Sequence, residues 1–147
     1  MQLPEIELTL KYKGTKKTDL KKINSSKDAA EVLRLIFNAD TIEYTEEFIM
    51  LCLNQANKVI AFYKVSSGGQ TATVADIRVI ATIALNSAAT NVIIAHNHPS
   101  GNTTPSAADK AVTNKIKEGL AILEIKLLEH IILTDESYFS FADEGII

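Results

Sequence analysis

The chain has 147 residues, enough for one domain with its own core, and 46% of them are apolar against 22% charged, an ordinary balance for a globular protein. Its formal net charge of −3 argues against a surface built to grip a phosphate backbone, so direct DNA binding is not expected. The single cysteine, Cys52, excludes an internal disulfide. No stretch looks like a signal peptide or is long enough to cross a bilayer, so a cytoplasmic location with no membrane partner is expected.

Taken in chain order, residues 5–13 alternate strictly, with Ile6, Leu8, Leu10 and Tyr12 on one face and polar residues on the other. That pattern predicts a half-buried strand at a sheet edge, and its free edge would admit a homodimer. Residues 14–23 form a connector rich in lysine (Lys16, Lys17, Lys21, Lys22), read as a solvated loop. Ser25-x-x-Asp28 then caps a helix with Ala29, Val32, Leu33 and Ile36 at helical spacing, expected to end near residues 38–40.

Residues 46–53 and 58–66 read as a hairpin around the turn at Asn54-Gln55-Ala56-Asn57, with Ser67-Gly68-Gly69 breaking the second strand. Cys52 falls in the first of these strands as an inert core thiol. Asp76 caps a helix running through Ala88. Residues 92–95, Val-Ile-Ile-Ala, are too uniformly apolar for a half-exposed strand and should lie at the centre of the sheet. A helix over residues 107–120, a strand over 125–133 and a short strand over 138–141 complete the chain. There is no internal repeat. The expected domain is a single one, with residues 1–24 as an N-terminal strand and connector and residues 25–147 as the core. The order of elements predicts an α/β fold, a mixed sheet flanked by helices.

The chemistry concentrates in residues 91–109, NVIIAHNHPSGNTTPSAAD. The central strand delivers His96 and His98, which point to one face because alternate side chains of an extended chain do so. A turn through Pro99, Ser100 and Gly101 returns the chain to a helix whose first turn holds Asp109. Two imidazoles and a carboxylate suit Zn²⁺ with a fourth position left for water. Ser106-x-x-Asp109 also fits a capping box, in which Asp109 reaches back to the helix's first amide. Ser106 can cap and still face the metal, so only Asp109 must choose. Two of the three histidines and two of the three prolines fall in this stretch, which favours the metal reading. The site lies at the C-terminal end of a strand, where α/β folds bind ligands. His130, in an apolar strand, is read as a buried, hydrogen-bonded histidine that could stand behind the ligands but is not one of them.

His96-Asn97-His98-Pro99-Ser100-Gly101, with Pro105-Ser106 and Asp109, resembles the JAB/MPN metalloprotease motif in the form found in the RadC family. The likeness extends to Glu46-x-Phe48, Leu51-x-Leu53, Gly68, Val74-Ala75-Asp76 with Arg78, Leu128-Glu129-His130 and the tail 140–145. One departure is Glu129, where the family usually has Asp. The resemblance implies a cytidine-deaminase-like three-layer arrangement and a zinc hydrolase acting on a peptide or isopeptide bond of a peptide or protein substrate. Spacing alone does not choose the general base among the carboxylates. The family's E-x-F-x-x-L-x-L pattern selects Glu46, whereas Glu47 would face the other side of a strand. Ser106 would donate to the oxyanion of a tetrahedral intermediate.

Two other readings compete. The nucleobase deaminases of a related fold need two cysteines in P-C-x-x-C, which this chain lacks. The RadC name is attached to DNA repair, so a repair-associated binding or scaffold domain without proteolytic activity is the alternative. Scaffold domains of this class characteristically lose the metal ligands, and here the set is complete.

Overall fold

The structure, a computed structural model, describes residues 1–14, 19–67 and 75–147. Its elements run α1 (Ser26–Arg34), β1 (Glu47–Leu53), β2 (Val59–Ser67), α2 (Ile77–Asn86), β3 (Asn91–Asn97), α3 (Ala107–Ile122), β4 (Lys126–Leu133) and β5 (Tyr138–Ser140). The strands form one sheet in the order β2-β1-β3-β4-β5, so the apolar strand β3 is central, as its composition requires. It pairs antiparallel with β1 and parallel with β4, which makes the sheet mixed.

Each strand's alternation sorts its side chains into two cores. Phe48, Met50, Cys52, Val92 and Ile94 pack with Ile80 and Ala84 of α2 and Ile116 and Leu120 of α3. Ile49, Leu51, Leu53, Ile93 and Ala95 pack on the opposite face with Ala29 and Leu33 of α1. The result is the three-layer α/β arrangement that the motif implied: α2 and α3, the sheet, then α1. Among the described residues no helix is long and apolar enough to cross a membrane.

Caps form where the sequence placed them. The side chain of Ser25 accepts from the Asp28 amide, and Asp76 accepts from the Arg78 amide. Helix α1, however, ends at Arg34 and not at residues 38–40. The Phe37 amide still donates to the Leu33 carbonyl, and the turn swings Phe37 into the α1-side core while Leu35 remains exposed. Burial of one aromatic ring decides this end better than helical spacing does.

The expected edge strand over residues 5–13 does not form. Residues 1–14 are exposed throughout and make no strand, with Ile6 and Leu8 83% and 77% accessible. Alternation says which residues would share a face but supplies no partner to bury it against. Among the described residues the chain first meets the sheet at Lys22, bridged antiparallel to Lys58, with the Val59 amide donating to the Lys21 carbonyl. The dimer edge assigned to residues 5–13 therefore has no strand to carry it. Lys16 and Lys17 of the connector, and Gly68, Gly69 and Val74, lie outside the described residues.

Candidate metal centre

Strand β3 ends in His96 and Asn97, and alternation divides them. His96 faces α3, Asn97 faces α1, and His98 just past the strand returns to the α3 side. Gly101, with φ +80, turns the chain back, and its amide donates to the His98 carbonyl. This brings the Asn102 carbonyl to 2.6 Å from His98 Nδ1. A carbonyl only accepts, so His98 Nδ1 carries the proton and Nε2 of the neutral ring is a bare lone pair. That Nε2 lies 3.0 Å from His96 Nε2.

Helix α3 brings the carboxylate. Ser106 is its N-cap, and the capping box is complete: the Asp109 amide donates to Ser106 Oγ at 3.0 Å and the Ser106 amide donates to Asp109 Oδ2 at 2.7 Å. The same carboxylate reaches both histidines, with Oδ1 3.2 Å from His96 Nε2 and Oδ2 3.3 Å from His98 Nε2. Asp109 therefore does not choose between capping and the site. Oδ2 serves the cap, and Oδ1, which takes no backbone donor, looks into the site. Burial would raise the Asp109 carboxyl, but the His96 and His98 rings, which donate to it once they carry a positive charge, and the Ser106 amide outweigh burial and hold it far below the usual carboxylate range. His98 is raised above its ordinary value, chiefly by Asp109, partly offset by burial.

Glu46 stands immediately before β1. The β1–β3 register pairs Phe48 with His96 and, carried two residues further, sets Glu46 opposite His98. Phe48 stacks parallel to the His96 ring, with centroids 5.9 Å apart. Glu46 is buried, and it, His96 and His98 each offer an atom within 4.8 Å of the others. Glu47 points to the other side and pairs with Lys64 at 3.5 Å. Ser106 Oγ accepts from the Asp109 amide, so its own hydrogen is free to donate. The structure thus gathers Glu46, His96, His98, Asp109 and Ser106 at one end of β3.

The donor set fits a zinc ion by two measures. Ligands about 2.0–2.1 Å from a tetrahedral zinc stand roughly 3.3–3.4 Å apart. The separations here are 3.0 Å between the two Nε2 atoms, 3.2 Å from His96 Nε2 to Asp109 Oδ1 and 3.3 Å from His98 Nε2 to Asp109 Oδ2. With the His98 proton committed to Asn102, and carboxylates that only accept, the centre is a convergence of acceptors. Such a cluster draws in positive charge, as a metal ion or as a proton on an imidazole.

Three side chains support this arrangement, and two of them, Asn97 and Thr113, escape a motif reading, whereas His130 takes the buried place behind a histidine that its apolar strand suggested. Asn97 donates through Nδ2 to the Ile42 and Thr45 carbonyls, at 2.7 and 2.8 Å, and accepts the Glu47 amide at 2.7 Å. It thereby holds the segment carrying Glu46. Its position between two histidines of one face already implied that it points into the opposite layer, where a buried amide must find partners. His130 Nε2 lies 2.8 Å from His96 Nδ1, and Thr113 Oγ lies 2.6 Å from His130 Nδ1. Thr113 follows Asp109 by one helical turn, which was the available signal.

An α/β sheet with a His-x-His pair and a helix-borne carboxylate meeting at the end of its central strand defines a JAB/MPN-type domain. The chain belongs to the RadC-like JAB domain family, which it matches over residues 23–146. A UPF0758 protein of Flavobacterium johnsoniae is 43% identical over 141 residues, covering 96% of this chain and 60% of that protein. UPF0758 protein YfjY of Escherichia coli is 41% identical over 102 residues, 69% of this chain and 64% of that one. A UPF0758 protein of Fusobacterium nucleatum is 38% identical over 147 residues, 99% of this chain and 62% of that protein. The chain spans about three fifths of the length of these curated relatives.

Proposed function

We propose that the domain is a zinc-dependent hydrolase that cleaves an amide, a peptide or isopeptide bond of a protein substrate. The observation that carries the reading is the convergence of His96 Nε2, His98 Nε2 and the Asp109 carboxylate at zinc-ligand spacing, 3.0, 3.2 and 3.3 Å apart. These three residues would hold the ion. When bound, zinc supplies a Lewis acid that makes water acidic enough to act as a nucleophile near neutral pH.

The remaining steps fall to the chain's own groups. Glu46, buried against the two histidines, takes the proton from the attacking water and returns it to the leaving amine. The Ser106 hydroxyl donates to the developing oxyanion, an effect worth about 3 kcal/mol in comparable sites. Its acceptor side is already held by the Asp109 amide, which orients the hydroxyl without occupying its hydrogen. Phe48, stacked on His96, keeps one side of that ligand dry.

Metal analysis of the purified protein after zinc loading and dialysis tests the reading, with about one zinc per chain expected. His98→Ala should abolish tight binding while the domain stays folded, because His98 lies outside both cores. A wild type that retains no zinc, or a His98→Ala protein that holds it normally, overturns the assignment.

A further inference from the structure

The hydrogen bonds behind His96 have a direction, and it is set at their far end. Thr113 Oγ lies 2.7 Å from the Asp109 backbone carbonyl, which can only accept, so the threonine hydrogen is committed there. Thr113 Oγ then faces His130 Nδ1, 2.6 Å away, as an acceptor, and Nδ1 must carry the proton. His130 is fully buried between Phe141, stacked at 4.4 Å, and Phe48, tilted at 5.9 Å. A charged ring is costly in that setting, so its Nε2 is an acceptor. His96 Nδ1, 2.8 Å from that Nε2, is left as the donor.

We propose that Thr113 and His130 are positioning residues that lock His96 in its Nδ1-protonated tautomer, so that Nε2 is held as a lone pair facing His98 and Asp109. The proton order runs His96 to His130 to Thr113 to the Asp109 carbonyl, set from the one link whose donor is fixed, Thr113 Oγ to that carbonyl. A histidine's tautomer is set by the bond its other nitrogen makes, and here that bond is buried. The path ends on the backbone of Asp109 itself. It therefore ties one ligand on β3 to another on α3 through a residue on β4.

An irregularity in β4 makes this possible. The β3–β4 register pairs Val92 with Leu127 but Ile93 with Glu129, leaving Leu128 as an extra residue. Without it, alternation from Leu127 would turn Glu129 toward α3 and His130 toward α1. With it, Glu129 faces the α1 side and His130 pairs with Ile94 on the α3 side. Glu129 then fastens the tail, accepting from the His130 and Ala142 amides and from Ser140 Oγ, at 2.8, 3.0 and 2.6 Å. That clamp seats Phe141 over the His130 ring.

The inference rests on the metal reading for its purpose, but the tautomer is defined without metal and can be tested so. Nitrogen NMR of ¹⁵N-histidine-labelled, zinc-free protein, recorded about two units above the ordinary imidazole pKa, reads it directly. Wild type and Thr113→Ser should show His96 and His130 with pyrrole-like Nδ1 and pyridine-like Nε2. Thr113→Val should shift the His96 signals toward the Nε2-protonated form and weaken zinc binding about 10- to 100-fold, the scale expected for a residue behind a ligand. Recovery in Thr113→Ser separates hydroxyl direction from simple packing. A wild-type His96 protonated on Nε2 overturns the proposal whether or not zinc binds, and so does a Thr113→Val spectrum identical to wild type. A wild type that holds no zinc yet shows the Nδ1-protonated ring upholds the relay and defeats the hydrolase reading.

Discussion

The two faces of the sheet at the end of β3 both bury polar groups, but they treat them differently. On the α1 side, the Asn97 amide is satisfied through both ends by the Ile42, Thr45 and Glu47 backbone. There too the Glu129 carboxylate accepts three donors, and Arg34 donates to the carbonyls of Thr134, Asp135 and Ser137. On the α3 side, His96, His98 and Asp109 turn acceptors toward one another. Saturated polar groups hold a structure in place, whereas converging unsaturated acceptors store a demand for a cation. The contrast separates residues that build the site from residues that would work in it.

The sharpest way to test that division is at the two adjacent glutamates. Glu46→Gln keeps the shape but cannot take a proton, so turnover should fall by roughly 10²-fold or more while zinc is retained. Glu47→Gln loses only an ion pair to the half-exposed Lys64 and should be nearly neutral in the same assay. Steady-state rates on a cleavable peptide or isopeptide substrate, with metal content measured alongside, decide it. An inactive Glu47→Gln would transfer the role to the other face.

On the saturated side the expected loss is of stability. Asn97→Ala orphans the Ile42 and Thr45 carbonyls and the Glu47 amide. At about 1 kcal/mol or more for each buried group left unpaired, the variant should lose roughly 3 kcal/mol in urea unfolding. A variant as stable as wild type would mean that these bonds are replaced by water and that Asn97 does not hold the Glu46 segment.

A smaller, graded effect should follow pH. Zinc must displace the proton that Asp109 draws onto His98, whose pKa is raised from 6.5, so affinity should fall about tenfold per pH unit below that raised value. The metal-free fold should slope the other way. His98, raised in the folded state, contributes stability fully present below 6.5 and lost as pH rises through its folded value. Asp109, depressed, contributes stability present above 3.8 and lost as pH falls below it. The His98–Asp109 contribution, read as the difference in urea midpoint between zinc-free wild type and His98→Gln across pH, should therefore be largest between those limits, while zinc titrations at the same pH values rise toward alkaline. Parallel slopes would break the coupling between His98 and Asp109.

The least effect is expected at the N-terminus, which belongs to neither face. Removing residues 1–13, exposed throughout, should change unfolding stability by no more than about 0.5 kcal/mol. A larger loss would mean that the alternating apolar residues find a partner after all.

By itself the sequence determined what local chemistry can determine. The uninterrupted apolar run of β3 required a central strand, Ser25, Asp76 and Ser106 marked helix starts, and the spacing of His96 and His98 put both on one face. Each depends on a few neighbouring residues and a fixed periodicity. Tertiary structure decided whatever needed a partner distant in the chain. Residues 5–13 carry a clean strand pattern and form none, because a pleated face is stable only against a surface. Asp109 serves both its helix cap and the histidines, because packing α3 against β3 brings its free oxygen to His96. His130 turns toward His96 only because Leu128 is extruded from the ladder, which reverses the alternation of every residue after it. A one-residue change of phase leaves composition and spacing untouched, so it is decided where two strands meet.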